Sequence, residues 1–346
     1  MSSMPKSNTF ILCAIGLWAF LVIVFLPYNP LRVPASIETP SKLPVHRLNT
    51  TWHRQIAIES VKWPSLENVQ TPYGELNRKR VALLLDNRPL PYLIPVLLYF
   101  LATVEREWSF RFMGSEESLG IMEANPLIMK YVRDKKLFLD PIPYEKLGVK
   151  AVNSYDTMNK LLSRPFLYEE WLWPSEWLFL FQDDSMICAN SKKTLNDFVD
   201  EEWSFMGVQM NNNNYTGGGL SLRRIPHLAR SLADYSFDQW AADGRWPSED
   251  GYFSKHMATY NWTKMPNYEE TLKWGLVRDF PAGMEQMPFG FHPFSSDGMF
   301  RNGKPEVVKE NQVRGFKYCP ELAIIAAGRW DFSTSPDGSR PGGLGG

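Results

Sequence analysis

Hydrophobic and polar positions alternate in blocks along the chain, and from residue 80 onward the blocks change period in a regular way. Val81-Ala82-Leu83-Leu84-Leu85 is short and wholly apolar and stops at Asp86-Asn87-Arg88, the pattern of a strand covered on both faces. Pro89 to Glu105 then has the broad apolar face of a helix. Trp108 to Met113 alternates like a strand, Ser118 to Arg133 is helical in composition, and Lys136 to Asp140 predicts another short strand. Ser154 to Glu170 predicts a helix with Tyr155, Met158, Leu161 and Leu162 on one side. Trp177-Leu178-Phe179-Leu180-Phe181 is the strongest buried strand of the chain and opens into Gln182-Asp183-Asp184-Ser185. Strands alternating with helices predict an α/β fold with a mainly parallel central sheet flanked by helices. Ligands of such sheets bind beyond the carboxyl ends of the strands, which directs attention to Asp86-Asn87-Arg88 and to Gln182-Asp183-Asp184.

The first part of the chain has a different pattern. Phe10 to Leu26 carries no charge, follows Lys6 and is broken by Pro27-Tyr28-Asn29-Pro30. Its length is at the short end for a spanning helix, and the positive charge before it keeps the amino terminus cytoplasmic. A cleaved signal peptide with Val33-Pro34-Ala35 near its cleavage site is the rival reading. The apolar run is long for that, so an uncleaved anchor is expected. Prolines recur from Pro27 to Pro72 without a persistent apolar face, as in an extended stem. The expected organisation is a cytoplasmic tail over 1–9, a transmembrane signal anchor over 10–26, a stem over 27–79, a catalytic domain over 80–332 and a Gly/Pro-rich, disordered tail over 333–346. This describes a single-pass type II membrane protein with a lumenal domain, in the Golgi ahead of the endoplasmic reticulum. Sequons at Asn49, Asn214 and Asn261 agree with lumenal exposure.

Composition narrows the functions. With 37 Lys and Arg against 38 Asp and Glu, no basic face is available for nucleic acid. Cysteine is limited to Cys13, Cys188 and Cys319, with no paired metal motif; Cys188 and Cys319 either bond in an oxidising lumen or stay buried and free. The 13 tryptophans suit a packed core, and their faces also stack on sugar rings.

Four constellations carry chemistry. In Gln182-Asp183-Asp184-Ser185, adjacent carboxylates at the mouth of a buried strand suit a divalent cation bridging two phosphates, although Asp184 or Ser185 could equally cap a turn. Gly217-Gly218-Gly219, read as lying ahead of an apolar strand, allow close backbone approach to a ligand, and Arg223 or Arg224 follows within reach of a phosphate. In Ser248-Glu249-Asp250, the acids fit the first turn of a helix, or one of them serves as a general base toward an acceptor hydroxyl. His292, one of five histidines, lies in the rigid run Phe289-Gly290-Phe291-His292-Pro293 and suits either a structural hydrogen bond or a metal.

Taken in order, these segments resemble the fungal and bacterial glycosyltransferase-like family catalogued as domain of unknown function 5672. The resemblance runs from Arg80 to Phe294 and rests on Phe181 to Ser185, Gly218 to Arg224, Glu249 to Phe253 and Phe289 to His292. It implies a GT-A-like, Rossmann-like fold and a hexosyltransferase-type enzyme using a nucleotide-diphospho-sugar donor and a glycan, glycoprotein or glycolipid acceptor. Carried over residue by residue, it implies Asp184 and His292 as ligands of Mn²⁺ or Mg²⁺. It implies Asp250, with Glu249 beside it, as the acceptor-side base of an inverting reaction. Asp86, Asn87, Arg88, Gln182, Asp183, Gly217, Gly218, Gly219 and Arg223 are the expected donor-binding residues. Gln182 departs from the pattern, because it occupies the first position of the usual Asp-x-Asp metal motif. That departure motivates a second reading, a non-catalytic carbohydrate-binding protein on a transferase fold. A metal-dependent phosphodiesterase is a third, for which the chain is poor in histidine.

Overall fold

The structure, a computed structural model, describes residues 69–329 except 153, 211–214, 278–279, 281–283, 285–286 and 293–304. The expected membrane anchor, most of the stem, Cys13, Asn49, Asn214 and the glycine-rich tail lie outside the described residues. Among the described residues, no helix is long and apolar enough to cross a membrane.

A small antiparallel hairpin, β1 (Val69–Thr71) with β2 (Gly74–Leu76), precedes the main sheet. The wholly apolar runs form the sheet's centre as β3 (Arg80–Leu85) and β6 (Trp177–Phe181), which pair in parallel. On the other side of β3 come β4 (Ser109–Gly114) and β5 (Leu137–Pro141), both parallel. Beyond β6, β9 (Thr216–Arg224) runs antiparallel to both β6 and β8 (Phe205–Gln209). Short strands β10 (Gly275–Leu276), β11 (Gly290–Phe291) and β7 (Met186–Ile187) complete a nine-stranded sheet of order β5-β4-β3-β6-β9-β8-β10-β11-β7. The sheet is therefore mixed, with a parallel half that matches the pattern along the chain.

Alternation along β3 and β6 divides the core between two faces. Ala82, Leu84, Phe179 and Phe181 face one apolar cluster, into which α1 (Leu93–Thr103) sends Leu93, Val96, Leu97 and Phe100. Val81, Leu83, Leu178 and Leu180 face the other. That face is covered by α4 (Tyr155–Leu162), a wide turn over Leu167–Trp171, α6 (Ile225–Asp234), α7 (Phe237–Ala242) and α8 (Glu249–Met257).

Two expected helices are shorter than their patterns. The stretch 118–133 forms two helices, α2 (Glu116–Glu123) and α3 (Pro126–Arg133). Asn125 ends the first and caps the second, accepting from the amides of Leu127 at 3.0 Å and Ile128 at 3.2 Å, and Pro126 fits the first helical turn. The stretch 154–170 stops at Leu162, because Pro165 cannot continue an interior helix.

The remaining helices are α5 (Leu195–Asp200), α9 (Tyr268–Trp274), α10 (Pro305–Tyr318) and α11 (Leu322–Arg329). Cys188, directly after β7, is disulfide-bonded to Cys319, directly after α10, with a Cα–Cα distance of 4.9 Å. Of the two alternatives open for these cysteines, the bonded one is found.

Candidate functional site

The chain passes outward from β3 through β4 to β5, then returns to β6 on the opposite side of β3. The carboxyl ends of β3 and β6 therefore flank the switch point of the sheet, where folds of this class place their ligand crevice. Asp86-Asn87-Arg88 leaves β3 there, and Gln182-Asp183-Asp184 leaves β6.

The two segments are joined directly. Asp86 is buried and grips Arg88: its Oδ1 accepts from the Arg88 amide at 2.8 Å and Nε at 2.9 Å, and its Oδ2 from Nη2 at 2.6 Å. The same Nη2 lies 3.0 Å from Asp183 Oδ1, and Tyr92 donates to Asp183 Oδ2. Burial raises the Asp86 carboxyl, against the pull of Arg88. Burial also works against the Arg88 charge, but its bond to Asp86 and the charge of Asp183 outweigh that and hold it above its usual value. The Asn87 carbonyl accepts from Ser115 Oγ at 2.8 Å, fixing the loop after β3. Pattern along the chain predicted this crevice but not Tyr92; a tyrosine opening a helix after an acidic strand end was the only cue.

Asp184 turns away from this pair. Its Oδ1 lies 3.0 Å from His292 Nε2, and Gln182 Oε1 lies 3.0 Å from the same nitrogen. Asp184 and His292 are both buried. His292 directly follows β11, and its amide donates to the Leu276 carbonyl at 2.9 Å, so a distant part of the chain is brought to the end of β6. β6 ends at Phe181 and Asp183-Asp184 form a turn, closed by the Ser185 amide donating to the Gln182 carbonyl at 3.0 Å, and this turn sends the two carboxylates to different partners.

The glycines correct one expectation. They lie inside β9, not ahead of a strand, because the site's side chains occupy the space their own would need. A Cβ on Gly219 would lie 2.2 Å from His292 Nε2 and 2.5 Å from Gln182 Oε1. A Cβ on Gly218 would lie 2.7 Å from Arg223 Nη2 and 2.8 Å from Glu249 Oε1. Gly217 faces Met210 and Val208 instead, at 2.9 and 3.0 Å from its would-be Cβ, and belongs to the β8–β9 packing.

Arg223, expected at a phosphate, is fully buried beneath the strand. Its Nη2 is 2.8 Å from Glu249 Oε1 and 3.1 Å from the Gly218 carbonyl, and its Nε is 2.9 Å from Ser221 Oγ. Every one of these contacts points into the protein, so Arg223 is a structural partner here. Glu249 is likewise buried, and burial pushes its carboxyl up to about 7 against the attraction of Arg223. Its amide donates to Asn159 Oδ1 at 2.7 Å.

Ser248 caps α8, accepting from the Gly251 amide at 3.2 Å, so both acids occupy the first helical turn. Only Asp250 reaches the surface. Its Oδ2 accepts from the Gly218 amide at 3.1 Å, and its Oδ1 accepts from Tyr215 Oη and the Gly251 amide, each at 2.7 Å. Burial and the Asp250 charge push the Tyr215 hydroxyl up, which keeps it a donor. One residue along β9, the Gly219 carbonyl accepts from the Gln182 amide at 2.8 Å and from Ser185 Oγ at 2.7 Å. Asp250 is thus bound to Gly218, and the Gln182–Ser185 turn to the next residue, Gly219. Tyr215 had no signal in the sequence beyond its position before the glycines.

Among the described residues no three His, Cys, Asp or Glu side chains are grouped as a metal site. Two oxygens and one imidazole nitrogen do converge, from Asp184, Gln182 and His292. That donor set fits a Mg²⁺ or Mn²⁺ ion, which takes few protein ligands and completes its shell with water and phosphate oxygens.

Residues 142–292 match the model of a family described as a protein of unknown function, DUF5672. The match begins after β5, well beyond Arg80, where the resemblance was expected to start. No curated protein matches the chain. Among solved structures, the apo form of the glycosyltransferase GlyE of Streptococcus pneumoniae TIGR4 is similar at 11% identity and a TM-score of 0.39, over 72% of this chain and 62% of its own. The chain thus spans about three fifths of GlyE. The galactosyltransferase LgtC, in complex with donor and acceptor sugar analogs, is similar at 9% identity and a TM-score of 0.41, over 75% of this chain and 98% of its own. Core-mannan synthase A of Aspergillus fumigatus, in a Mn/GDP form, is similar at 12% identity and a TM-score of 0.40, over 69% and 85%.

Proposed function

We propose that the chain is a glycosyltransferase that moves a sugar from a nucleotide-diphospho-sugar to an acceptor hydroxyl with inversion. The observation that carries this reading is the adjacency on β9: the Asp184–His292–Gln182 group meets Gly219, and the half-exposed carboxylate of Asp250 is bound to Gly218. A charge-handling group and a candidate base thus meet neighbouring residues at the start of β9, the end that pairs with the outlet of β6.

In this reading, Asp86, Asn87 and Arg88 form one wall of the donor crevice and Gln182 with Asp183 the other. The Arg88–Asp86–Asp183 ion pairs keep the two strand ends at a fixed separation. Asp184 and His292, with Gln182, would hold a divalent cation, which when bound offsets the charge of the departing nucleoside diphosphate. The acceptor oxygen forms a bond to the anomeric carbon as the bond to the diphosphate oxygen breaks, and that oxygen leaves with the electron pair. The acceptor proton passes to Asp250. Three donors hold the Asp250 carboxylate in one orientation, so it needs no search to accept a proton. Glu249 serves through position: its Oε1 accepts from Arg223 Nη2 at 2.8 Å under the strand.

Membrane anchoring and a lumenal, Golgi setting belong to the same proposal. The apolar run Phe10 to Leu26, the exposed sequon at Asn261 and the Cys188–Cys319 bond support them, since disulfides persist in oxidising compartments. The test is a panel of nucleotide sugars with Mn²⁺, followed by release of nucleoside diphosphate. Turnover of at least one donor, lost in Asp184→Ala, is expected; no turnover of any donor overturns the reading.

A further inference from the structure

Trp246, four residues before Asp250, is 72% exposed, the most open large hydrophobic side chain among the described residues. Tyr155, at the start of α4, is 57% exposed. Burying a tryptophan is strongly favourable, so a rigidly held and open one calls for an occupant.

The backbone there is fixed. The Trp246 carbonyl accepts from Trp240 Nε1 at 3.0 Å and from the Ser248 amide at 2.9 Å, and Pro247 restricts the residue between. Arg245 lies over the Trp240 ring at 4.5 Å, holding the same turn from the other side. Trp240 itself is buried against Tyr252. The exposed indole is thus carried on an anchored turn.

Asn159 donates from Nδ2 to the Tyr155 carbonyl at 2.8 Å and accepts at Oδ1 from the Glu249 amide at 2.7 Å, which sets Tyr155 beside the start of α8. Burial, then the nearby Asp250 charge, raises the Tyr155 hydroxyl. Tyr215 donates to Asp250 at 2.7 Å and lies 3.2 Å from Ser248 Oγ. Two open aromatic rings therefore border the partly exposed carboxylate of Asp250 and the phenol of Tyr215. A pyranose matches that combination, because its C–H face stacks on an aromatic ring while its hydroxyl edge hydrogen-bonds sideways. An acyl chain or an apolar peptide would cover the same rings but strip the Asp250 carboxylate of its remaining water, which is costly for a charge.

We propose that Trp246 and Tyr155 form the acceptor subsite, a stacking platform for a sugar ring whose hydroxyl edge turns to Asp250. This rests on Asp250 as the acceptor-side base, and it makes the acceptor a glycan rather than a lipid or a protein side chain. Because the platform is preorganised, little ordering is needed on binding.

The full chain is applied to an array of immobilised glycans, as wild type and as Trp246→Ala, Trp246→Phe and Tyr155→Ala, each first checked for an unchanged melting temperature. Wild type is expected to retain a defined set of glycans. Trp246→Ala should lose that set by tenfold or more, Trp246→Phe should recover most of it, and Tyr155→Ala should weaken it. Retention of no glycan by wild type, or equal retention by Trp246→Ala, overturns the platform. Donor turnover by wild type, measured separately, keeps the two ideas apart. Turnover with no Trp246-dependent retention overturns the platform and leaves the transferase. Trp246-dependent retention without turnover of any donor supports sugar stacking at Trp246 and overturns both the transferase and the acceptor role of the platform.

Discussion

Gly219 and His292 are matched across β9: a single added carbon on the glycine would lie 2.2 Å from the imidazole Nε2. The amide bond to Leu276 fixes the backbone of the histidine, so the imidazole is the part that must swing aside. Gly219→Ala should therefore displace His292 from Asp184 and Gln182 and leave the distant core intact. Thermal unfolding with and without Mn²⁺ checks this: the Mn²⁺-dependent rise of the wild type should disappear in the variant. A variant that keeps the full rise would detach Gly219 from any role at the site.

Asp250 offers the sharpest separation of chemistry from binding. Asp250→Asn preserves shape and keeps an oxygen for the Gly218 amide, but it cannot take a proton. Transfer should fall about 100-fold or more, while nucleotide binding changes little. Single-turnover assays alongside nucleotide titration check both halves.

Glu249 should leave a mark on stability against pH. Its carboxyl rises from an ordinary 4.5 to about 7 on burial, so the folded chain holds this proton over a range where the unfolded chain has released it. The stabilisation from this group is complete below its unfolded value and is lost as pH climbs through about 7. Relative to Glu249→Gln, the wild type should lose up to about 3 kcal/mol between pH 5 and pH 8. Denaturant melts at the two pH values measure the difference.

The disulfide should matter to the site as well as to the fold. Cys188 follows β7, which pairs with β11, and His292 comes directly after β11. Cys188→Ser with Cys319→Ser frees a loop with a sequence separation of 131 and should cost about 2–5 kcal/mol. The Mn²⁺-dependent thermal shift should shrink with it, since the edge carrying His292 loses its tie to the residue after α10.

What was legible in the sequence was what depends on local pattern. The apolar runs at Val81 to Leu85 and Trp177 to Phe181 are the central parallel strands, and their polar ends meet at the switch point. The Ser248 cap before Glu249 and Asp250 could also be read directly. What escaped depends on partners far along the chain. Arg223 looks like a free cation until Glu249, 26 residues later, is folded onto it. The glycine run looks like a loop until His292 and Gln182 fill the space above it. The antiparallel β9 between β6 and β8 has the same apolar pattern as a parallel strand, so direction could not be read from it. The apolar run Phe10 to Leu26 lies outside the described residues, and anchoring stays a proposal.

The central claim is that Asp184 and His292 mark a cation-dependent nucleotide site. Calorimetric titration of the full chain with a panel of nucleoside diphosphates, in Mn²⁺ and in chelator, tests it most directly. At least one nucleotide is expected to bind in Mn²⁺, with the binding removed by chelator and abolished in Asp184→Ala. Absence of all nucleotide binding in Mn²⁺, or binding that persists unchanged in chelator and in Asp184→Ala, would contradict it.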